Sequence, residues 1–107
     1  MPKIKNKDQP IVEVFKGVVR YTLACGKDVL MARFEYKKGS KVPPHKHFFE
    51  QVITILEGEQ KIAIRNEEET EEIAVKTGDS YIVPANFEHE QISLKDSITI
   101  DAWSLAP

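Results

Sequence analysis

The 107-residue chain has a single cysteine, Cys25, so no disulfide can form within it. It stands in "LACGKDV", directly before a Gly-Lys-Asp turn signal, and reads as a structural thiol at a strand end rather than a ligand or nucleophile. No apolar run approaches the roughly 18 residues of a membrane helix. The start "MPKIKNKDQP" lacks the apolar segment of a secretory signal, which makes a cytoplasmic protein the expectation. An excess of one charge is also missing: 15 Lys and Arg face 17 Asp and Glu, for a net charge of -2. That balance offers no basic surface to nucleic acid or to an anionic membrane, and leaves a small molecule as the expected partner. The length suits one domain over residues 1–107, with one core and one site.

A helical period is absent too. Apolar residues alternate or cluster in short runs punctuated by turn residues, which is a β pattern. The predicted strands are "VEVFKGV", "VRYTLA", "DVLMARFEY", "QVITILEG", "QKIAIRN", "EEIAVKTG", "SYIVP", "HEQISL" and "SITIDAWS". Turn signals such as Lys38-Gly39, Glu57-Gly58, Thr77-Gly78, Ala85-Asn86 and Lys95-Asp96 fall between them, as in an antiparallel sandwich or barrel. The one charge run, "RNEEETEE", lies between two of these strands and reads as a solvated hairpin tip. It lacks the alternating oxygen ligands and glycine of a calcium loop.

What the chain does have is "VPPHKHFFEQVITILEGE", from Val42 to Glu59. Imidazoles carry ring nitrogens that need partners wherever they are buried, so two of them leading into an apolar strand either sit in solvent or have something bound to them. Residues two apart in extended chain face the same way, and Pro43 and Pro44 favour extended backbone, so His45 and His47 aim together. Gln51 is in phase with Ile53 and Ile55 and is expected to point inward; Glu50 is the alternate oxygen donor if the register slips by one residue. A third histidine, His89, follows the turn in "GDSYIVPANFEHEQ" and opens another strand. Together these make a mixed nitrogen and oxygen donor set suited to a transition metal.

Both stretches resemble the two motifs of the cupin superfamily. In the first, Gly39 is followed by five residues, His45-Lys46-His47, three residues, Gln51, six residues and Gly58, with Gln51 where the usual motif has Glu. In the second, Gly78 is followed by five residues, Pro84-Ala85-Asn86, two residues and His89, with Asn86 in place of the motif glycine. Asn tolerates the left-handed backbone such a position requires. Ser93 replaces the motif's final Asn. The resemblance implies an all-β cupin fold, a double-stranded β-helix or jelly-roll barrel, and metal ligands His45, His47, Gln51 and His89. A divalent transition metal, zinc, nickel, iron or manganese, is the implied cofactor.

The pattern "HxHxxEQ" and the ending Asp101, Trp103, Ser104 look most like the short cupins of the pectin-degradation (KdgF) type, which open unsaturated uronates into linear ketouronates. The resemblance then implies a catalytic role for Asp101 and a substrate-facing role for Trp103; Phe87 is a further candidate for substrate binding, placed at the pocket mouth or in the core. Pro107 stands roughly where that subgroup has an arginine, so a uronate carboxylate lacks its usual two-point partner. In "SITIDAWS" the alternation also leaves two faces open: Ile98, Ile100 and Ala102 on one, Thr99, Asp101 and Trp103 on the other. Two alternatives stand beside ring opening: a metal-dependent dioxygenase on the same four residues, and a non-catalytic metal-dependent binding or sensing module. A neutral Gln51 leaves the site more positive than Glu would, which favours Lewis-acid work. Short cupins commonly dimerise, so a homodimer is expected, with "QPIVEVFKGV" as a candidate edge strand.

Overall fold

In the computed structural model, which describes residues 3–104, the alternating segments form ten strands. They are Ile11–Phe15 (β1), Val18–Cys25 (β2), Val29–Tyr36 (β3), Lys41–His45 (β4), Gln51–Glu57 (β5), Glu59–Arg65 (β6), Thr70–Lys76 (β7), Ser80–Val83 (β8), Glu88–Ser93 (β9) and Ser97–Ser104 (β10). Among the described residues the only helical element is a 3-10 turn over Asn6–Asp8. Pro107 lies outside the described residues.

The strands make two antiparallel sheets. The larger runs β1-β2-β3-β10-β5-β8 and the smaller β4-β9-β6-β7. Such non-sequential order, with neighbours drawn from distant parts of the chain, is that of a jelly roll closed around an interior. The expected all-β cupin architecture is therefore observed.

Two local expectations change. The pattern predicts a first strand continuing through Gly17, but the chain turns at Lys16-Gly17, with Gly17 at φ 79°. The Pro-containing segment Lys41–His45 pairs as β4, which the turn-and-alternation pattern does not predict. It is an edge strand, the one place in a sheet where a missing backbone N–H is tolerated. The acidic run splits as expected into a turn and an exposed strand start: Asn66 Oδ1 accepts from the backbone N–H groups of Glu68 and Glu69, and Glu71 and Glu72 are exposed on β7.

The interior is divided. Ile53 and Ile55 of β5, Ile62 and Ile64 of β6, Val75 of β7 and Val83 of β8 form one apolar cluster, with Ile73, Tyr81 and Phe87 packed against it. The other half is polar. Ser97, Thr99 and Asp101 of β10, Gln60 of β6, and His89 and Ser93 of β9 are all buried. In β10, then, it is the polar face that turns inward, and Ile98, Ile100 and Ala102 lie half-buried on the outside. Burying this many polar groups is tolerable only where they find partners or a ligand.

The motif glycine Gly58 joins β5 in one sheet to β6 in the other, at φ 110°. A Cβ there would collide with the Ser97 side chain and the Asp96 backbone, so no other residue fits this crossing.

Candidate metal centre

The second motif's turn supplies the local geometry that brings the histidines together. Asn86 adopts φ 66°, the left-handed backbone the motif position calls for, and its N–H donates to the His47 carbonyl at 2.8 Å. That bond ties the turn before β9 to the segment after β4, and β4 pairs with β9 so that His45 and His89 are direct cross-strand partners. The ligand atoms of His45, His47 and His89 all lie within 4.8 Å of one another. His45 is the most open of the three and His89 is buried.

Each imidazole is oriented by its own backbone. Nδ1 of His45 lies 2.9 Å from the Pro43 carbonyl, Nδ1 of His47 2.8 Å from the Phe49 carbonyl, and Nδ1 of His89 3.2 Å from the Phe87 carbonyl. A carbonyl accepts only, so these contacts place the proton on Nδ1 in all three rings and turn the Nε2 lone pairs toward the shared space. Burial, reinforced by repulsion from His45 and His47, lowers the His89 pKa from 6.5 to about 4, so this ring is neutral and ready to coordinate near neutral pH.

Gln51 opens β5 and points inward, as its phase with Ile53 and Ile55 predicts; Glu50 precedes the strand and is exposed. Its Nε2 donates to Asp101 Oδ2 at 2.7 Å, which directs its Oε1 the other way, 3.1 Å from His47 Nε2. With the His47 proton held on Nδ1 by the Phe49 carbonyl, two lone pairs face each other across that 3.1 Å. The residues therefore fit a divalent metal held by three imidazole nitrogens and one amide oxygen.

Behind Gln51 lies a chain of hydrogen bonds. Thr99 Oγ1 donates to Asp101 Oδ1 at 2.7 Å, and because that proton is committed, the Tyr36 hydroxyl donates to Thr99 across 3.3 Å. Asp101 is 3% exposed. Burial raises its pKa from 3.8 to about 7, against the lowering effect of the Thr99 and Gln51 bonds. The Tyr36 hydroxyl is pushed well above its usual range by burial and by the Asp101 charge.

Aromatic rings line one side. Trp103, paired with Gln51 across β10 and β5, lies 6.4 Å from Phe49 and 6.3 Å from Phe34, and Phe49 stacks on His47 at 4.0 Å with 3° between planes. Asp101 and Trp103 thus share the inward face of β10 with the site. Phe87, partly buried, packs against the apolar cluster, the core side of its two expected positions. Sequence reasoning assigned no chemistry to Phe49, although its position two residues from both His47 and Gln51 puts it in phase with them. Thr99, the partner of Asp101, carried no signal beyond alternation.

Comparison with curated proteins finds no match. Among solved structures the chain is similar to KdgF from Halomonas sp., at 22% identity over 96% of this chain and 92% of that one, with a TM-score of 0.81. It is similar to an RmlC-like cupin from Shewanella frigidimarina at 23% identity over 96% and 89%, with a TM-score of 0.83. A variant oxalate decarboxylase from Bacillus subtilis matches at 13% identity over 94% of this chain but 28% of that one, with a TM-score of 0.85. At these identities the likeness is one of fold. A family model described as "Cupin domain" matches residues 32–100. Both histidine motifs fall inside that span and meet at one end of the barrel interior, and the chain belongs to the cupin domain family.

Proposed function

We propose that this small cupin binds a divalent transition metal through His45, His47, His89 and Gln51 and isomerises a sugar acid of the unsaturated uronate class by ring opening. The observation that carries the reading is Asp101: a buried carboxyl with a pKa near 7, one hydrogen bond from the amide that faces the histidines. The resemblance of "HxHxxEQ" and Asp101-x-Trp103 to the pectin-degradation cupins supports the same chemistry.

A bound divalent cation supplies Lewis-acid polarisation of ligand oxygens. Opening a cyclic hemiacetal that carries a ring double bond needs a proton removed from the anomeric hydroxyl as the ring C–O bond breaks, and a proton added to carbon as the resulting enol becomes a ketone. The net reaction is an isomerisation with no co-substrate. Asp101 serves both transfers, since a group with a pKa near the working pH can accept a proton and return it. Thr99 holds one carboxyl oxygen and Gln51 the other, so the carboxyl cannot rotate away. Trp103 offers a flat face to the sugar, and the aromatic rings beside it exclude water.

The working unit is a homodimer, a reading supported by the exposed apolar side chains on the outer face of the larger sheet.

The test begins with metal content per chain after purification without chelator. Wild type carries near-stoichiometric transition metal and His47→Ala does not. An unsaturated uronate monomer loses its ultraviolet absorbance with wild type, and Asp101→Asn slows that loss by about a hundredfold or more while keeping the metal. Wild type that loads metal but leaves the uronate unchanged sinks the ring-opening reading.

A further inference from the structure

Of the three clustered imidazoles, two are carried by paired strands. His45 ends β4, His89 lies near the start of β9, and the two are cross-strand partners. His47 has no such support: it stands in the connection 46–50, where the chain crosses from β4 in the smaller sheet to β5 in the larger. A ligand on a loop has no ladder to fix its direction, and a loosely aimed ligand weakens a metal site.

Phe49 supplies the missing support in two ways. Its backbone carbonyl lies 2.8 Å from His47 Nδ1, and its ring lies flat on the His47 ring, with centroids 4.0 Å apart and 3° between planes. The hydrogen bond sets the direction of the imidazole within its plane, and the stack sets the plane itself. The Phe49 ring is braced in turn: Trp103 on β10 lies 6.4 Å away at 17°, and Phe48 meets it at 5.5 Å and 81°. Through Phe49 the loop imidazole is tied to a strand of the larger sheet. His45 and His89 have no parallel aromatic partner among the described residues, and the three histidine rings meet one another at 54° to 71°.

A second arrangement competes for His47. The neutral ring has one proton and two acceptors within reach, the Phe49 carbonyl at 2.8 Å from Nδ1 and Gln51 Oε1 at 3.1 Å from Nε2. With the proton on Nδ1, the Nε2 lone pair is free to coordinate. With the proton on Nε2, the ring donates to Gln51 and that nitrogen is lost to a metal. We infer that Phe49 is a positioning residue of the metal centre, clamping His47 in the Nδ1–H form and denying it the hydrogen bond to Gln51. The inference rests on the metal-binding reading above. A residue without a ring at this position keeps the carbonyl but frees the imidazole plane, and the Nε2–H form gains.

Two readouts on the full chain test this. NMR shifts of the His47 ring nitrogens in chelator-treated protein at about pH 8, where the ring is neutral, report the tautomer. Competition with a chromophoric chelator reports the affinity for Zn²⁺. Wild type shows the Nδ1–H form. Phe49→Leu shows a mixture of the two forms and binds Zn²⁺ about tenfold to a hundredfold more weakly, and Phe49→Tyr, which restores the ring, matches wild type in both. Wild-type His47 in the Nε2–H form overturns the assignment, and so does Phe49→Leu with the wild-type tautomer, whatever its affinity. Phe49→Tyr behaving as Phe49→Leu does, or Phe49→Leu as tight as a wild type that binds Zn²⁺, overturns it as well. Wild type that binds no Zn²⁺, with the tautomer change still present in Phe49→Leu, upholds the clamp and removes the metal reading instead.

Discussion

Asp101 and His89 titrate in opposite directions, and the metal-free protein should show it. Burial holds the Asp101 carboxyl near pH 7 against 3.8 for the free group, so between about pH 4 and 7 the folded chain keeps a proton that the unfolded chain has released. Stability therefore falls as pH rises through that window, and above it the whole penalty of a buried carboxylate persists. His89, lowered from 6.5 to about 4, does the reverse: the unfolded chain binds the extra proton, and stability rises with pH from about 4 to 6.5. The two slopes, each at most about 1.4 kcal/mol per pH unit, oppose one another. Chelator-treated wild type should thus vary little between pH 4 and 6.5, whereas Asp101→Asn should gain stability with rising pH across the same range. Denaturant melts at several pH values test this, and parallel profiles for the two proteins would refute it. At this scale the cluster of three histidines was legible in the sequence, because His45, His47 and His89 stood at motif spacing. The orientation of Asp101 was not: β10 turns Ser97, Thr99 and Asp101 inward, and alternation alone cannot tell a polar interior from a polar surface.

Among the elements, nine strands could be read from alternation and turn residues, and the one that escaped, β4, is the one containing Pro43 and Pro44. Prolines signal against a central strand, and only the sheet order reveals that this strand sits at an edge. The crossing from β5 to β6 depends on a different residue. Gly58 combines a left-handed backbone with a close approach to Ser97 and Asp96, whereas Gly39, at φ 84°, has nothing within 4 Å of where a Cβ would stand. Gly39→Ala should cost only the backbone term, about 1 kcal/mol, and Gly58→Ala should cost that plus the displacement of β10's first residues, roughly 2–4 kcal/mol in all. The midpoints of urea unfolding give the comparison directly, and equal shifts for the two variants would show that the crossing is not as tight as it is drawn.

Across the whole molecule, the outer face of the larger sheet has an apolar row that crosses four strands: Met31 on β3, Ala102 on β10, Val52 on β5 and Ile82 on β8 are successive cross-strand partners. Met31, Val52 and Ile82 are all exposed. Contiguous apolar surface of this kind marks an interaction site, and a second copy covering it would bury the row on both protomers. Light scattering should find wild type at twice the chain mass and the double variant Met31→Glu, Ile82→Glu at the chain mass, with its metal retained. A wild-type monomer would reject this interface. The lengthwise division of the interior has a consequence of its own. The isoleucines and valines of β5 to β8 hold the barrel shut on one side, while β9 and β10 carry most of the polar groups on the other. Foundation and workshop are drawn largely from different strands, so substitutions at the working wall leave the supporting wall standing, and a lineage can retool one without rebuilding the other.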